Sequence, residues 1–160
     1  MDRPWMKRSQ LAQRSSPSKS GSAPATVQVA AAVIWQAGKI LICQRTRHQP
    51  MPCKWEFPGG KIEKGEQARH ALRRELDEEL GIKAVVGNQI ARVRHEYARE
   101  KGVELWFFAV HFYTGEIENR IFRDIRWVRP EELSVYDFLE ADREFIKRLA
   151  DGGSHRAVQP

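Results

Sequence analysis

The chain has 160 residues, is 41% hydrophobic and 30% charged, and carries a formal net charge of +6. That length buries one core, and the balance is globular rather than disordered. There is no apolar run of the roughly 18 residues a membrane helix needs, no secretory apolar core, and only Cys43 and Cys53 as thiols. A membrane span, a disulfide framework and a cysteine-ligated metal site are therefore not expected, and a reducing cytoplasm is.

Residues 1–25 hold five basic residues against one acidic, leaving 22 basic against 20 acidic in the rest of the chain. Much of the basic excess thus belongs to a Ser- and Pro-rich tail, which is expected to be disordered. It reads as a plain flexible extension, as a weak nucleic-acid contact or as an Arg- and Ser-rich transit peptide, and Met6 is an alternative start.

Near residue 26 the composition changes. TVQVAAAVIWQ is β-branched and apolar and predicts a buried strand, Ala37-Gly38 a turn, and KILICQR the hairpin partner. A polar loop with Pro50 and Pro52 follows. Lys54 to Phe57 reads as a short extended piece ending in a Pro58-Gly59-Gly60 turn, and Gly65 permits a second bend. The next helix is expected over about residues 67–80, closed by Gly81. VELWFFAVHFY, residues 103–113, is apolar on both faces, as a central strand covered on both sides would be. Residues 121–128 are a further strand candidate, Arg129-Pro130 opens a helical turn, and 139–150 forms a last helix with Phe145, Ile146 and Leu149 as its stripe. Residues 151–160 are expected to fray. Strands interleaved with two helices predict a mixed sheet between helices.

The segment RRELDEELG concentrates Glu75, Asp77, Glu78 and Glu79 in a basic chain. With Glu75 at zero, Glu78 lies at about 300° and Glu79 at about 40°, while Leu72, Leu76 and Leu80 lie at about 60°, 100° and 140°. Glu75, Glu78 and Glu79 are expected to share one face beside the apolar stripe, with Asp77 turned to solvent. Three such carboxylates suit Mg²⁺ or Mn²⁺ bridging to phosphate oxygens. A solvated helix face behind a structural loop is the other reading.

The spacing resembles a known family. GKIEKGEQARHALRRELDEELGI, residues 60–82, fills every fixed position of the Nudix box: Gly60, Glu66, Arg74, Glu75, Leu76, Glu78, Glu79, Gly81 and Ile82. KWEFPGGKIEKGE before it is similar to the MutT branch. The resemblance implies an α/β fold over residues 26–150, a Nudix-type α/β/α sandwich with a mixed sheet. It implies a Mg²⁺- or Mn²⁺-dependent hydrolase that cleaves nucleoside triphosphates to the monophosphate and pyrophosphate by water attack on the β-phosphorus. It implies metal ligands at Glu75, Glu78, Glu79 and the Gly59 carbonyl, with Glu75 or an acidic neighbour activating water. Arg74 would orient Glu75, Glu66 would brace the loop, and Gly60 and Gly81 would be structural.

The same resemblance implies a base pocket from Phe57, Arg45 and Asp142. Phe57 reads equally as core, and Asp142 as a surface acid at the start of the last helix. Asp142 stands where 8-oxoguanine-specific relatives carry asparagine. An ionised aspartate only accepts hydrogen bonds, which suits an amino group such as that of cytosine, whereas a protonated one could still read 8-oxoguanine. A later family glutamate falls on Ile121, with Glu118 or Asp124 as substitutes. The expected activity is sanitation of 8-oxo-dGTP or a related modified nucleotide. The alternatives are a CTP- or dCTP-type pyrimidine triphosphatase, an ADP-ribose or dinucleotide hydrolase, and a non-catalytic nucleotide- or RNA-binding module. A nucleoside triphosphate is the expected partner, with no membrane or nucleic acid, on a monomer or weak dimer.

Overall fold

The strand Val27–Gln36 (β1) has neighbours on both sides. In a computed structural model, which describes residues 26–97 and 102–152, it runs parallel to Gly102–Val110 (β7) from the Val27–Val103 pair to the Ile34–Val110 pair. On its other side it pairs antiparallel with Gly59–Lys61 (β4) at Val29, Ala30 and Ala31, and with Lys39–Gln44 (β2) at Trp35 and Gln36. Ala37 and Gly38 make the hairpin turn with φ of 50° and 73°, the left-handed pair that a two-residue hairpin needs. The sheet continues through Trp55–Glu56 (β3) and Asp124–Val128 (β9) beside β2, and through Gln89–Glu96 (β6) at the β7 edge. Lys83–Val85 (β5) and Phe112–Thr114 (β8) form a separate two-stranded ribbon.

Alternation along β1 builds two cores. Ala30, Ala32 and Ile34 face the helix Ala68–Leu80 (α1), whose Leu72, Leu76 and Leu80 are wholly buried. Each such leucine contributes about 1.5–3 kcal/mol of burial. Ala31 and Val33 face the helix Arg143–Ala150 (α2), where Phe145 stacks on Phe107 at 4.0 Å. The sheet thus lies between two helices, and the α/β sandwich expected from the interleaving of strands and helices is the fold.

Several elements differ from expectation. Pro58-Gly59-Gly60 is not a free turn, because Gly59 and Gly60 belong to β4 and pair with β1. The last helix starts at Arg143, after a 3-10 turn over Glu140–Asp142. Its would-be first residue, Leu139, is instead held extended beside Trp55, whose N–H donates to Asp137 O and whose carbonyl accepts from Leu139 N–H, both at 2.9 Å. The long strand breaks at His111 into β7 and β8. Strands β5 and β6 were not expected at all. β6 is an edge strand in which only Val93 is fully buried, so its sequence lacks an apolar signal. The tail 1–25 and residues 153–160 lie outside the described residues. Among the described residues no helix is long and apolar enough to cross a membrane.

Candidate active site

The acid-rich helix is positioned by the two glycines of β4. Pro58 O accepts from Ala32 N–H at 2.8 Å, which draws the chain against β1. Gly59 has φ of 147°, and a Cβ there would lie 2.8 Å from Ala31 Cα. Gly60 faces α1, and a Cβ on it would fall 2.5 and 2.7 Å from the two carboxylate oxygens of Glu75. Only glycine lets the strand lie this close to the helix. At the other end of α1, Gly81 has φ of 70° and its N–H closes the helix on Asp77 O at 3.0 Å.

The acids are not equivalent. Glu75 and Glu79 are each 2% exposed, whereas the Glu78 side chain is 52% exposed. The expectation that all three share one partly covered face is corrected in this respect. At about 300°, Glu78 lies some 160° from the centre of the leucine stripe, so the helix turns it outward. Asp77 lies at the surface, as expected, and is paired with Lys83. Among the described residues no three His, Cys, Asp or Glu side chains converge tightly enough to hold a metal ion between them. Glu79 Oε2 accepts the Gly59 N–H at 3.3 Å, and Glu75 Oε1 accepts from Arg74 Nη1 at 3.0 Å.

Arg74 links these groups. Its Nε and Nη2 grip Glu66 Oε1 and Oε2 at 3.0 and 3.1 Å, and its Nη1 also lies 3.8 Å from Glu78. Such a fork-to-carboxylate pair is directional as well as strong. The Arg74 bond holds the Glu66 carboxyl below its ordinary range, although burial opposes this. The same Glu66 bond raises the Arg74 pKa, with the charge of Glu75 acting in the same direction. Glu66 Oε2 further accepts the Glu63 N–H at 3.0 Å, fastening the loop before α1 to the helix.

The donor types suit a hard divalent cation, although the three carboxylates are not drawn together around one point. It offers two buried carboxylates, a third one turn along from Glu75, and the backbone at Gly59, where β4 passes without a side chain. All are oxygen ligands, with no thiol or imidazole among them.

Beside this site lies a pocket lined by Gly59 and Gly60 together with Glu56, Phe57, Tyr97 and Asp142. Phe57 is both a pocket wall and a core residue, because its ring packs on Phe107, Phe138 and Phe145 at 5.6–5.8 Å. Asp142 is 4% exposed, so the reading of it as a surface acid is corrected. Arg45 is wholly buried behind Glu56, with Nη1 3.0 Å from Glu56 Oε2 and Nε 2.9 Å from Pro50 O. It does not line the pocket; its partner Glu56 does. Sequence reasoning passed over Glu56 and Tyr97 as pocket residues. The EFPGG stretch contained the first, and nothing local signals the second, since β6 and α2 bring it to Asp142 from far along the chain.

Near the Ile121 position, both later carboxylates are engaged in surface ion pairs. Ile121 is 40% exposed. Glu118 pairs with Arg120 at 3.2 Å and Asp124 with Arg126 at 2.9 Å. Arg120 itself reaches the end of α1, where it donates to Asp77 O at 3.1 Å.

Comparison with known proteins agrees with this geometry. The model of the NUDIX domain matches residues 25–149. The chain is 38% identical over 134 residues to the CTP pyrophosphohydrolase of Escherichia coli, covering 84% of this chain and 96% of that protein. It is 36% identical over 124 residues to the 8-oxo-dGTP diphosphatase of Haemophilus influenzae, covering 77% and 90%. The solution structure of the E. coli ORF135 protein superposes with a TM-score of 0.75 at 33% identity, covering 85% of this chain and 96% of that one. An uninterrupted box, its acids and arginine seated on a sandwich shared with these relatives, makes the chain a hydrolase of the NUDIX domain family, whose members use divalent metal ions.

Proposed function

We propose that the domain, residues 26–150, is a MutT-like nucleoside triphosphate pyrophosphohydrolase that removes 8-oxo-dGTP or a related modified nucleotide from the cytoplasmic pool. The observation that carries this is the continuity of the two halves of the site. Gly59 and Gly60 line the pocket that holds Phe57 and Asp142, and the same residues touch Glu79 and Glu75. A base in that pocket places its phosphates over the acids. Relatives 36% and 38% identical, named for 8-oxo-dGTP and CTP, support the substrate class.

Glu75, Glu78, Glu79 and the Gly59 carbonyl would hold Mg²⁺, with Mn²⁺ as an alternative. When bound, the cation supplies charge for the phosphate oxygens and lowers the pKa of coordinated water. Glu75 accepts the proton of the water that attacks the β-phosphorus, with Glu78 as the alternative acceptor. The bond from that phosphorus to the α–β bridging oxygen breaks, the oxygen leaving on the monophosphate and the attacked phosphorus going into pyrophosphate. Arg74 keeps the Glu75 carboxylate aligned for this transfer. Glu66 fixes Arg74 in turn.

A pyrimidine substrate of CTP or dCTP type is the second reading. Glu56 and Asp142 both bring carboxylates to the pocket, and each can accept from the cytosine amino group. Incubating the protein with Mg²⁺ and a panel of 8-oxo-dGTP, dGTP, CTP, dCTP and ADP-ribose, followed by ion chromatography, tests the proposal. Pyrophosphate release with the highest kcat/KM on 8-oxo-dGTP supports the first reading, and preference for CTP or dCTP the second. Orthophosphate release, or no turnover of any triphosphate, refutes both.

A further inference from the structure

Two polar side chains from unrelated elements, far in sequence from Glu56 and Lys61, line the pocket among Val103, Leu105, Leu139 and Ala141. Tyr97 follows β6 directly, and Asp142 precedes α2. The Tyr97 hydroxyl and the Asp142 side chain are both buried. The phenol ring is held edge-on by His95, with centroids 4.6 Å apart, and His95 Nε2 in turn lies 3.9 Å from Glu140 Oε2 beside Asp142. Burial pushes the phenol up to about 12, and the Asp142 charge is the next largest cause, with Glu140 adding to it and Arg45 opposing. The hydroxyl therefore keeps its proton throughout the neutral range, next to a group that when ionised can only accept.

We infer that Tyr97 and Asp142 form one recognition element for the base of the nucleotide, the phenol supplying the hydrogen-bond donor that an ionised carboxylate lacks. This deepens the function proposed above and rests on it. The matching ligand is a nucleobase edge with a donor and an acceptor side by side, such as the N4 amino group and N3 of cytosine or N1–H and O6 of an oxidised guanine. Tyr97 is then a specificity-determining residue. Without its hydroxyl, one edge atom of the base is buried with no partner, which costs far more than an exposed bond would.

The test is a double-mutant cycle on kcat and KM for 8-oxo-dGTP and dCTP with Mg²⁺. Tyr97→Phe keeps the ring and its packing. It should raise KM for the preferred nucleotide about tenfold, leave kcat nearly unchanged, and shrink the preference between the two substrates. Asp142→Asn in the Tyr97→Phe background should recover most of that loss, because a carboxamide offers donor and acceptor from one side chain. An unchanged KM in Tyr97→Phe overturns the inference, and so does a loss that Asp142→Asn merely adds to. Either result leaves the proposed function standing if the unmodified protein cleaves the triphosphates. Failure of the unmodified protein on every triphosphate overturns both.

Discussion

Gly60 and Glu75 interlock: the missing side chain of one is the space taken by the carboxylate of the other. Gly60→Ala would put a methyl group within 2.7 Å of both carboxylate oxygens, so Glu75 must leave its bond to Arg74 or β4 must withdraw from β1. A displacement of about 1 Å at a reacting group costs on the order of 100-fold in rate. The expected outcome is a kcat lower by about that factor with secondary structure intact, read by steady-state kinetics beside circular dichroism. An active Gly60→Ala protein would show that Glu75 does not need this position.

Arg74 has a role that pH can isolate. Its bond holds the Glu66 carboxyl below the ordinary range. A carboxylate depressed in the folded state stabilises the fold above its unfolded pKa, and that stability is lost as pH falls through the folded value. The stability lost in Arg74→Ala should therefore be largest near pH 7 and shrink below about pH 4, where carboxylates protonate in both states. Urea unfolding at pH 7 and pH 3 measures it. Arg74→Lys should keep part of the stability but lose the fork geometry, lowering kcat more than it shifts the unfolding midpoint. A stability difference independent of pH would remove Glu66 as the relevant partner.

The parts of this site that the sequence reveals are those built from one continuous segment. The helix, its Gly81 cap and the buried stripe follow from a 3.6-residue period, and the same arithmetic that groups Glu75 with Glu79 carries Glu78 outward. What is hidden depends on pairing across the fold. Gly59 and Gly60 read as a turn because nothing in PGG announces that β1 lies alongside. β6 is polar for an edge strand, and only its pairing with β7 defines it. Tyr97, just after β6, and Asp142, just before α2, line one pocket only because the fold packs these distant segments together. Arg45 enters the base pocket only through the resemblance, and nothing local in KILICQR signals that its partner is Glu56, eleven residues away on β3.

Arg45 and Glu56 form a buried ion pair, with side chains 0% and 7% exposed. Removing one member leaves a buried charge uncompensated, at about 3–5 kcal/mol. Arg45→Ala should therefore lower stability by that order in urea unfolding, and Glu56→Gln by less, since an amide still accepts a hydrogen bond. If Arg45 instead served the substrate directly, Arg45→Ala would raise KM at nearly unchanged stability.

The cation site can be examined without turnover. A ligand that binds only the folded state stabilises it by about 2.7 kcal/mol at a hundred times its Kd. Mn²⁺ should thus raise the melting temperature by several degrees. Glu75→Gln and Glu79→Gln, which remove buried oxygen charges, should abolish most of the rise. Asp77→Asn should keep it, because Asp77 is turned away and paired with Lys83. An equal Mn²⁺ shift in all four proteins would place the cation elsewhere.

Tyr97 provides a spectroscopic handle on the base pocket. Of the three tyrosines in the chain, its phenol is pushed up to about 12 by burial first and by the Asp142 charge second. Ultraviolet titration should resolve one phenolate forming well above the ordinary value of about 10. Asp142→Asn removes a negative charge that opposes the phenolate, so this late step should move downward, while Glu140→Gln should move it less. The neutral phenol is favoured by the fold, so its contribution to stability is complete below pH 10 and is lost as pH rises from there through the folded value. A late titration step that Asp142→Asn leaves in place would mean that burial alone governs Tyr97, and that the two side chains are not coupled in the pocket.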